Sequence, residues 1–383
     1  MKRTVQTIYI ILFIGIIGVG TVCNFPKLYK ITKDTVHDHV YEAWAILIGL
    51  EYSEAFFDKY FFVNANGFFH KVLGQRKVKD VVKVDSGQLT IPLEETPVWQ
   101  QAEGTSKLYA WLEEEGIPFC YVQAPYEICK ENPQLPKGIL DYSNKNADVY
   151  LSLLKKAGVP VLDLREEMHA CNMDHYESFF ATDHHWKIET AFWAYGVLTE
   201  RICKELQEEV PVENLQLEAF RVETAHDKIL GSNGRRTGIA YAGLEDITLI
   251  YPKEKIQVSF AAPEEGIFRE GDFRETYMVY ERLEGDNLYE MAQYDIYIGE
   301  DYPTTSQIYE EAPVEKKILL IKDSYFRPVQ AFLGTVFTQT DTIDMRYFTG
   351  DVKEYIQETN PDMVLLCYNP YMLLTYGNFR FVE

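Results

Sequence analysis

Apolar positions in this chain alternate between two spacings from about residue 98 onward. From Val98 to Glu115 they recur every three or four residues and stop at Gly116, which predicts a helix. Pro118 to Gln123 (PFCYVQ) is a short apolar run ending at Ala124-Pro125, the pattern of a buried strand. The pair recurs as a helix over Asn144 to Ala157, stopped by Gly158, and a strand over Val159 to Leu164. Lys187 to Gln207 predicts a long amphipathic helix. Lys317 to Ile321 (KILLI) predicts a strand leading to a helix from Tyr325, then come a strand at Thr342 to Met345, a helix at Val352 to Thr359 and a last strand at Met363 to Cys367. Such alternation predicts an α/β domain, a mainly parallel sheet with helices on both faces.

Two stretches break the rhythm. Residues 208 to 315 are rich in Glu, Gly and Tyr, with strand-like pieces such as Ile247 to Tyr251, and predict a β-rich insertion or lid. Near the start, Lys2 and Arg3 precede the apolar segment Ile8 to Val22. No small-x-small cleavage site follows, since the chain continues Cys23-Asn24-Phe25-Pro26, so an uncleaved signal anchor is expected. The expected organisation is a cytoplasmic stub and anchor helix over 1–25, a linker over 26–50 and the folded domain over 51–383. That puts a single-pass protein in the cell membrane with its domain outside. Lys27, Lys30 and Lys33 follow the segment, so flanking charge alone does not fix the orientation.

Composition narrows the partners. Against 37 Lys and Arg stand 59 Asp and Glu, a formal charge of -22 that repels a nucleic-acid backbone. The 27 Tyr and 22 Phe belong mostly in a core, although aromatic faces also stack on sugars. Of 6 Cys, Cys23 falls in the anchor, leaving an odd number outside, and no CxxC pair exists. A zinc ribbon or redox motif is therefore not indicated, and no cofactor is expected.

Candidate chemistry gathers at predicted strand ends, where open α/β sheets place their sites. Ser324 sits between KILLI and a helix, where it could be a nucleophile beside the first helix amides or, with Asp323, an ordinary N-cap. In Thr182-Asp183-His184-His185-Trp186, extended backbone would put Asp183 and His185 on one face, with His184 turned elsewhere. A carboxylate beside an imidazole orients a general base, and Trp186 would shield it from water. Metal binding and a structural role stay open for this region, since His169, Cys171, Asp174 and His175 lie close by in sequence. None of these residues has a recognised ligand spacing. In Gly231-Ser232-Asn233-Gly234-Arg235-Arg236-Thr237-Gly238, Asn233, Arg235 and Arg236 could wall a cleft and meet an anionic group, or the loop could be a plain turn. Asn369, after the last strand, is a candidate oxyanion donor, and Tyr126 and Lys130, past Ala124-Pro125, are candidate substrate contacts.

The TDHHW segment, followed much later by a strand and Asp323-Ser324-Tyr325-Phe326, resembles the DHHW family. More distantly it is similar to the SGNH-hydrolase-like subunits of alginate O-acetyltransferase machinery. That resemblance spans roughly residues 50 to 370 and implies a motif order permuted relative to ordinary SGNH esterases. It implies Asp183 as orienter, His185 as general base and Ser324 as nucleophile. Lys322 stands where relatives often have Gly, and Tyr325 where they have Phe. The implied activity is O-acyl transfer, with acetyl as the expected group, to a cell-envelope or exported polysaccharide. A multispanning membrane O-acyltransferase is the implied acyl donor. An esterase with the same triad, a non-catalytic polysaccharide-binding or assembly protein and a metal-dependent hydrolase are the alternatives.

Overall fold

Eight strands of the computed structural model pair into one central sheet, and the alternation of their side chains builds a core on each face. The strands are Phe119–Gln123 (β1), Val161–Asp163 (β2), Val258–Ala262 (β3), Ile267–Gly271 (β4), Thr304–Ile308 (β5), Val314–Lys322 (β6), Phe337–Ile343 (β7) and Met363–Tyr368 (β8). Their order is β2-β1-β8-β6-β7-β5-β3-β4. The structure describes residues 59–285 and 288–381. The expected anchor, the linker and Cys23 lie outside them. Among the described residues, no helix is long and apolar enough to cross a membrane.

Strands β2 to β7 along that order are parallel, whereas β5, β3 and β4 join antiparallel. The sheet is thus mixed, and the parallel expectation holds for the half whose strands are linked through helices. Five helices flank it: Trp99–Glu114 (α1), Ser143–Lys156 (α2), Ile188–Leu206 (α3), Arg327–Leu333 (α4) and Val352–Thr359 (α5). Successive strand residues point to opposite faces. Val122, Ile318, Leu320 and Leu365 accordingly pack with Leu198 of α3 and Phe332 of α4. Tyr121, Leu319, Ile321 and Leu366 pack with Leu108 of α1, Leu154 of α2 and Ile356 of α5.

Strand β7 begins earlier than its sequence suggested. Its segment FTQTDTI is mostly polar, and several of those side chains find partners in the sheet or the helix packed on it. Thr342 and Thr305 share a hydrogen bond at 2.7 Å, and Gln330 donates to Thr305 at 2.7 Å. Such cross-strand polar pairs stabilise a sheet without leaving an apolar run to read.

Residues 208 to 315 divide between two places. Phe220–Ile229 and Glu245–Pro252 form a separate antiparallel ribbon, whose connection holds the short helix Ser232–Thr237. β3, β4 and β5 from the same stretch extend the central sheet. A small sheet of Lys77–Val78, Val81–Lys83 and Leu89–Thr90 lies beside that connection. A turn at Asp85-Ser86-Gly87-Gln88 joins its last two strands. Cys120, Cys129, Cys171, Cys203 and Cys367 are all free thiols.

Candidate active site

The segment from Phe179 to Trp186 crosses the carboxyl-end side of the sheet just before α3. It closes on itself through an isolated bridge between Phe179 and Trp186. Its middle is tied to distant elements. Glu245 accepts the Ala181 and Thr182 amides at 2.7 and 2.6 Å, and the Ala181 carbonyl accepts from Leu89 at 2.8 Å. Asp183 is then fixed from two sides. Its Oδ1 accepts the His185 backbone amide at 3.0 Å and lies 2.5 Å from Nδ1, while Oδ2 accepts the Ser232 amide at 2.6 Å.

Gly231 makes that second contact achievable. A Cβ there would lie 2.2 Å from the Asp183 Cβ and 2.4 Å from its Cα. Its φ of -63° suits any residue, so the requirement is space and not backbone freedom.

Ser324 follows β6 in a turn capped by Asp323, whose carboxylate accepts the Tyr325 amide at 2.9 Å. The same carboxylate accepts both the backbone and side-chain N–H of Asn369 at 2.7 Å. Burial pushes the Asp323 carboxyl up to about 6, against these donors. The turn presents Ser324 Oγ 2.9 Å from His185 Nε2. With Nδ1–H committed to Asp183, Nε2 is free to accept the serine proton. Burial holds the His185 imidazole below its ordinary value, and Asp183 opposes that shift only in part. Burial also opposes ionisation of Asp183, but the two imidazoles and its hydrogen bonds prevail and hold it well below the carboxylate range.

Ring contacts set the imidazole plane. Tyr294 stacks on His185 with centroids 3.8 Å apart and planes 5° apart. Tyr294 Oη and Trp186 Nε1 each donate to the Tyr325 carbonyl at 2.9 Å, joining the two motifs. Trp186 is fully buried beneath this junction and lines neither cavity at the site. His184 is not turned away as extended backbone would require. Its ring centroid is 3.8 Å from that of His185, its Nδ1 lies 2.7 Å from Ser232 Oγ, and its carbonyl accepts from Tyr325 Oη.

Other candidates separate by position. Arg235 donates to the Met291 carbonyl at 2.5 Å and lines a cavity of about 420 Å³ that also exposes His185 and Ser324. Arg236 pairs with Asp80 at a second cavity of about 310 Å³, which Tyr126, Asn233 and Asn369 also line. Within it, Tyr126 donates to the Ile91 carbonyl at 2.6 Å, and Asn233 donates to Leu89 at 2.8 Å. Lys130 is drawn away by Asp148 at 3.2 Å and Glu166 at 3.7 Å and lines neither cavity. Asp183, His184 and His185 offer ligand atoms within 4.8 Å of one another. Those atoms already serve Ser232, Ser324 and one another in hydrogen bonds.

Sequence reasoning missed a buried charge cluster behind the serine. Arg327 meets Asp295 at 2.7 Å, and Arg346 meets Asp301 at 2.9 Å and Asp344 at 2.5 Å. Lys322, also buried, lies 3.9 Å from Asp301, and burial lowers its ammonium. Burial works against Asp301 ionising, but Arg327, Lys322 and Arg346 outweigh it and hold the carboxyl below its usual range. A lone arginine in the apolar helix YFRPVQAFL was the available signal for Arg327.

Residues 87–239, which include Asp183 and His185 but not Ser324, match the model of the SGNH hydrolase-like domain of the acetyltransferase AlgX. No curated protein matches the chain in sequence. Among solved structures, PatB1 of Bacillus cereus is similar, with a TM-score of 0.66 and 22% identity over 79% of this chain and 99% of that one. A DHHW family protein from Eubacterium siraeum is similar at a TM-score of 0.58 and 17% identity, over 78% of this chain and 94% of that one. The chain therefore has the α/β fold of these proteins, and its similarity is to the SGNH hydrolase-like domain and to the DHHW family.

Proposed function

We propose that this protein is a serine-dependent O-acyltransferase that moves an acyl group, acetyl in the first instance, onto a hydroxyl of a cell-envelope or exported polysaccharide. The observation that carries this reading is the continuous hydrogen-bond chain from Ser324 through His185 to Asp183. Support comes from the acetyltransferase domain model that matches the segment bearing Asp183 and His185.

In acylation, Ser324 Oγ loses its proton to His185 Nε2 as it bonds to the acyl carbon of an ester. The ester C–O bond breaks, and the departing alcohol oxygen takes the proton from His185. In the second step an acceptor hydroxyl gives its proton to His185, bonds to the acyl carbon and releases Ser324, which recovers a proton. Asp183 stabilises the imidazolium in both steps. The Ser324 backbone amide, first of its turn, and the second amide hydrogen of Asn369 are the donors placed to meet the oxyanion. Water in place of the acceptor gives an esterase from the same residues. In this proposal Ile8–Val22 is a membrane anchor with the domain outside the cell, and a multispanning acyltransferase is the acyl donor.

The test combines covalent labelling with acceptor analysis. A fluorophosphonate should modify Ser324 in the wild-type protein and leave Ser324→Ala unlabelled. Deleting the gene should lower ester-linked acetyl on one envelope polymer, restored by wild type but not by Ser324→Ala. Labelling elsewhere, or activity lost to a chelator and restored by zinc, would overturn the serine mechanism.

A further inference from the structure

Ser324 borders two cavities, whereas its base borders one. The first, of about 420 Å³, exposes His185 with Ser324, Arg235 and Ala292. The second, of about 310 Å³, reaches Ser324 from another side and exposes Asn369, Ile91, Tyr126, Tyr371 and Met372, but not His185.

The chemistry of acyl transfer sorts its groups between these spaces. The alcohol oxygen that leaves must receive a proton from His185, and the acceptor oxygen that attacks must give one to it. Both therefore occupy the same place in turn. The acyl carbon bonded to Ser324 Oγ carries two other substituents, the carbonyl oxygen and the chain, and neither exchanges a proton with His185. The carbonyl oxygen is drawn to Asn369, which opens only on the second cavity.

We infer that the second cavity is the acyl-chain pocket, with Ile91 and Met372 as walls that set chain length, while leaving group and acceptor alternate in the first. This rests on the acyl-transfer reading above and adds a direction to it. Asp80, Arg236 and Arg346 also stand at this cavity, but Arg236 pairs with Asp80 and Arg346 with Asp301 and Asp344, which leaves the wall suited to an uncharged chain. Glu127, buried there, accepts from Thr90 at 3.0 Å and Asn233 at 3.3 Å, with no cation in ion-pair range among the described residues. Burial pushes its carboxyl well above the usual range, towards the neutral acid. A space of about 310 Å³ also exceeds what an acetyl group needs, given that one water takes about 30 Å³ in the liquid. Butyryl therefore fits.

Rates of p-nitrophenyl acetate and butyrate hydrolysis by the full chain test the assignment. Ile91→Phe should lower the butyrate-to-acetate ratio of kcat/KM about tenfold, because one methylene in an apolar pocket discriminates by roughly that factor or more. Ile91→Ala should shift the ratio the other way, which keeps the test decisive if the larger side chain prevents folding. Ala292→Phe, in the first cavity, should leave the ratio within about twofold of wild type while slowing transfer to a bulky sugar hydroxyl. A ratio unmoved at Ile91, or moved by Ala292→Phe, overturns the assignment. Wild-type protein that cleaves neither ester, or Ser324→Ala that cleaves both, would instead remove the acyl-transfer reading itself.

Discussion

The loop bearing Asp183 and His185 and the turn bearing Ser324 meet in one hydrogen-bond chain but are held in place by different means. The loop is gripped from outside, by Glu245 on its amides, the Ser232 amide on Asp183 and the close passage of Gly231. The turn is held by the sheet itself, since Asp323 ends β6, caps its own turn and binds Asn369 at the end of the adjacent β8. His185 thus owes its position to a ribbon connection far along the chain, and Ser324 to two neighbouring strands. Substitutions in the ribbon should disturb the base alone, while those at the strand ends should disturb the nucleophile and its oxyanion donors.

The largest expected effect comes from removing the link that both regions serve. Asp183→Asn keeps the shape but loses the acceptor for Nδ1–H, and kcat on an acetyl ester should fall by about 10⁴, as in Ser-His-Asp enzymes generally. A loss under tenfold would mean that the outside grip alone orients His185. On the sheet-held side, Asn369→Ala should lower kcat by about 10² to 10³ with KM little changed. A rise in KM alone would assign Asn369 to substrate binding instead. On the ribbon-held side, Gly231→Ala forces Asp183 to move. We expect about 10² off kcat, from a displacement approaching 1 Å, together with a lower unfolding temperature. Wild-type kinetics in that variant would show that the ribbon grip is dispensable.

Two smaller effects sharpen the contrast. Burial holds His185 below 6.5, so on the proposed mechanism, with His185 as the neutral base, kcat/KM should be level through pH 7, with its acid limb below 6.5. Stability follows the same sign. As pH falls below 6.5, the unfolded imidazole takes up a proton that the folded one refuses, so the unfolding temperature should drop. An acid limb above 6.5 would mean that Asp183 outweighs burial. Least affected should be Lys322→Met, with kcat within about twofold and stability within about 1 kcal/mol, since Asp301 keeps Arg327 and Arg346 and a buried ammonium is costly to hold. A loss beyond tenfold would make Lys322 a positioning residue for the serine turn.

The helices and the parallel strands were legible because each buries a continuous apolar run, as in KILLI of β6 and MVLLCY of β8. β7 was misplaced because five of its seven residues are polar and leave no apolar run to read. β3 to β5 were read as part of an insertion because antiparallel strands of five residues carry little periodic signal. At the site, Asp183, His185 and Ser324 stood out through residue type and position after predicted strands. Tyr294, Arg346 and Glu127 did not, because stacking, ion pairing and burial in a cavity wall are made by residues distant in sequence. The same limit applies to His184, whose ring follows its contact with Ser232 and not the alternation of an extended strand.

Strand β8 is the keystone of the sheet. It lies between β1 and β6, so it joins the β2-β1 edge to the strand that leads into Ser324. His185 and Ser324, 139 positions apart, already wait on each other, and Asp323 waits further on Asn369. A nascent chain emerging amino-terminus first carries both motifs well before it carries the strand that unites them. Loop closure over such distances comes late in folding. A chain cut before Met363 would keep Asp183, His185 and Ser324 but lose both the strand that unites the sheet and the Asn369 that binds Asp323.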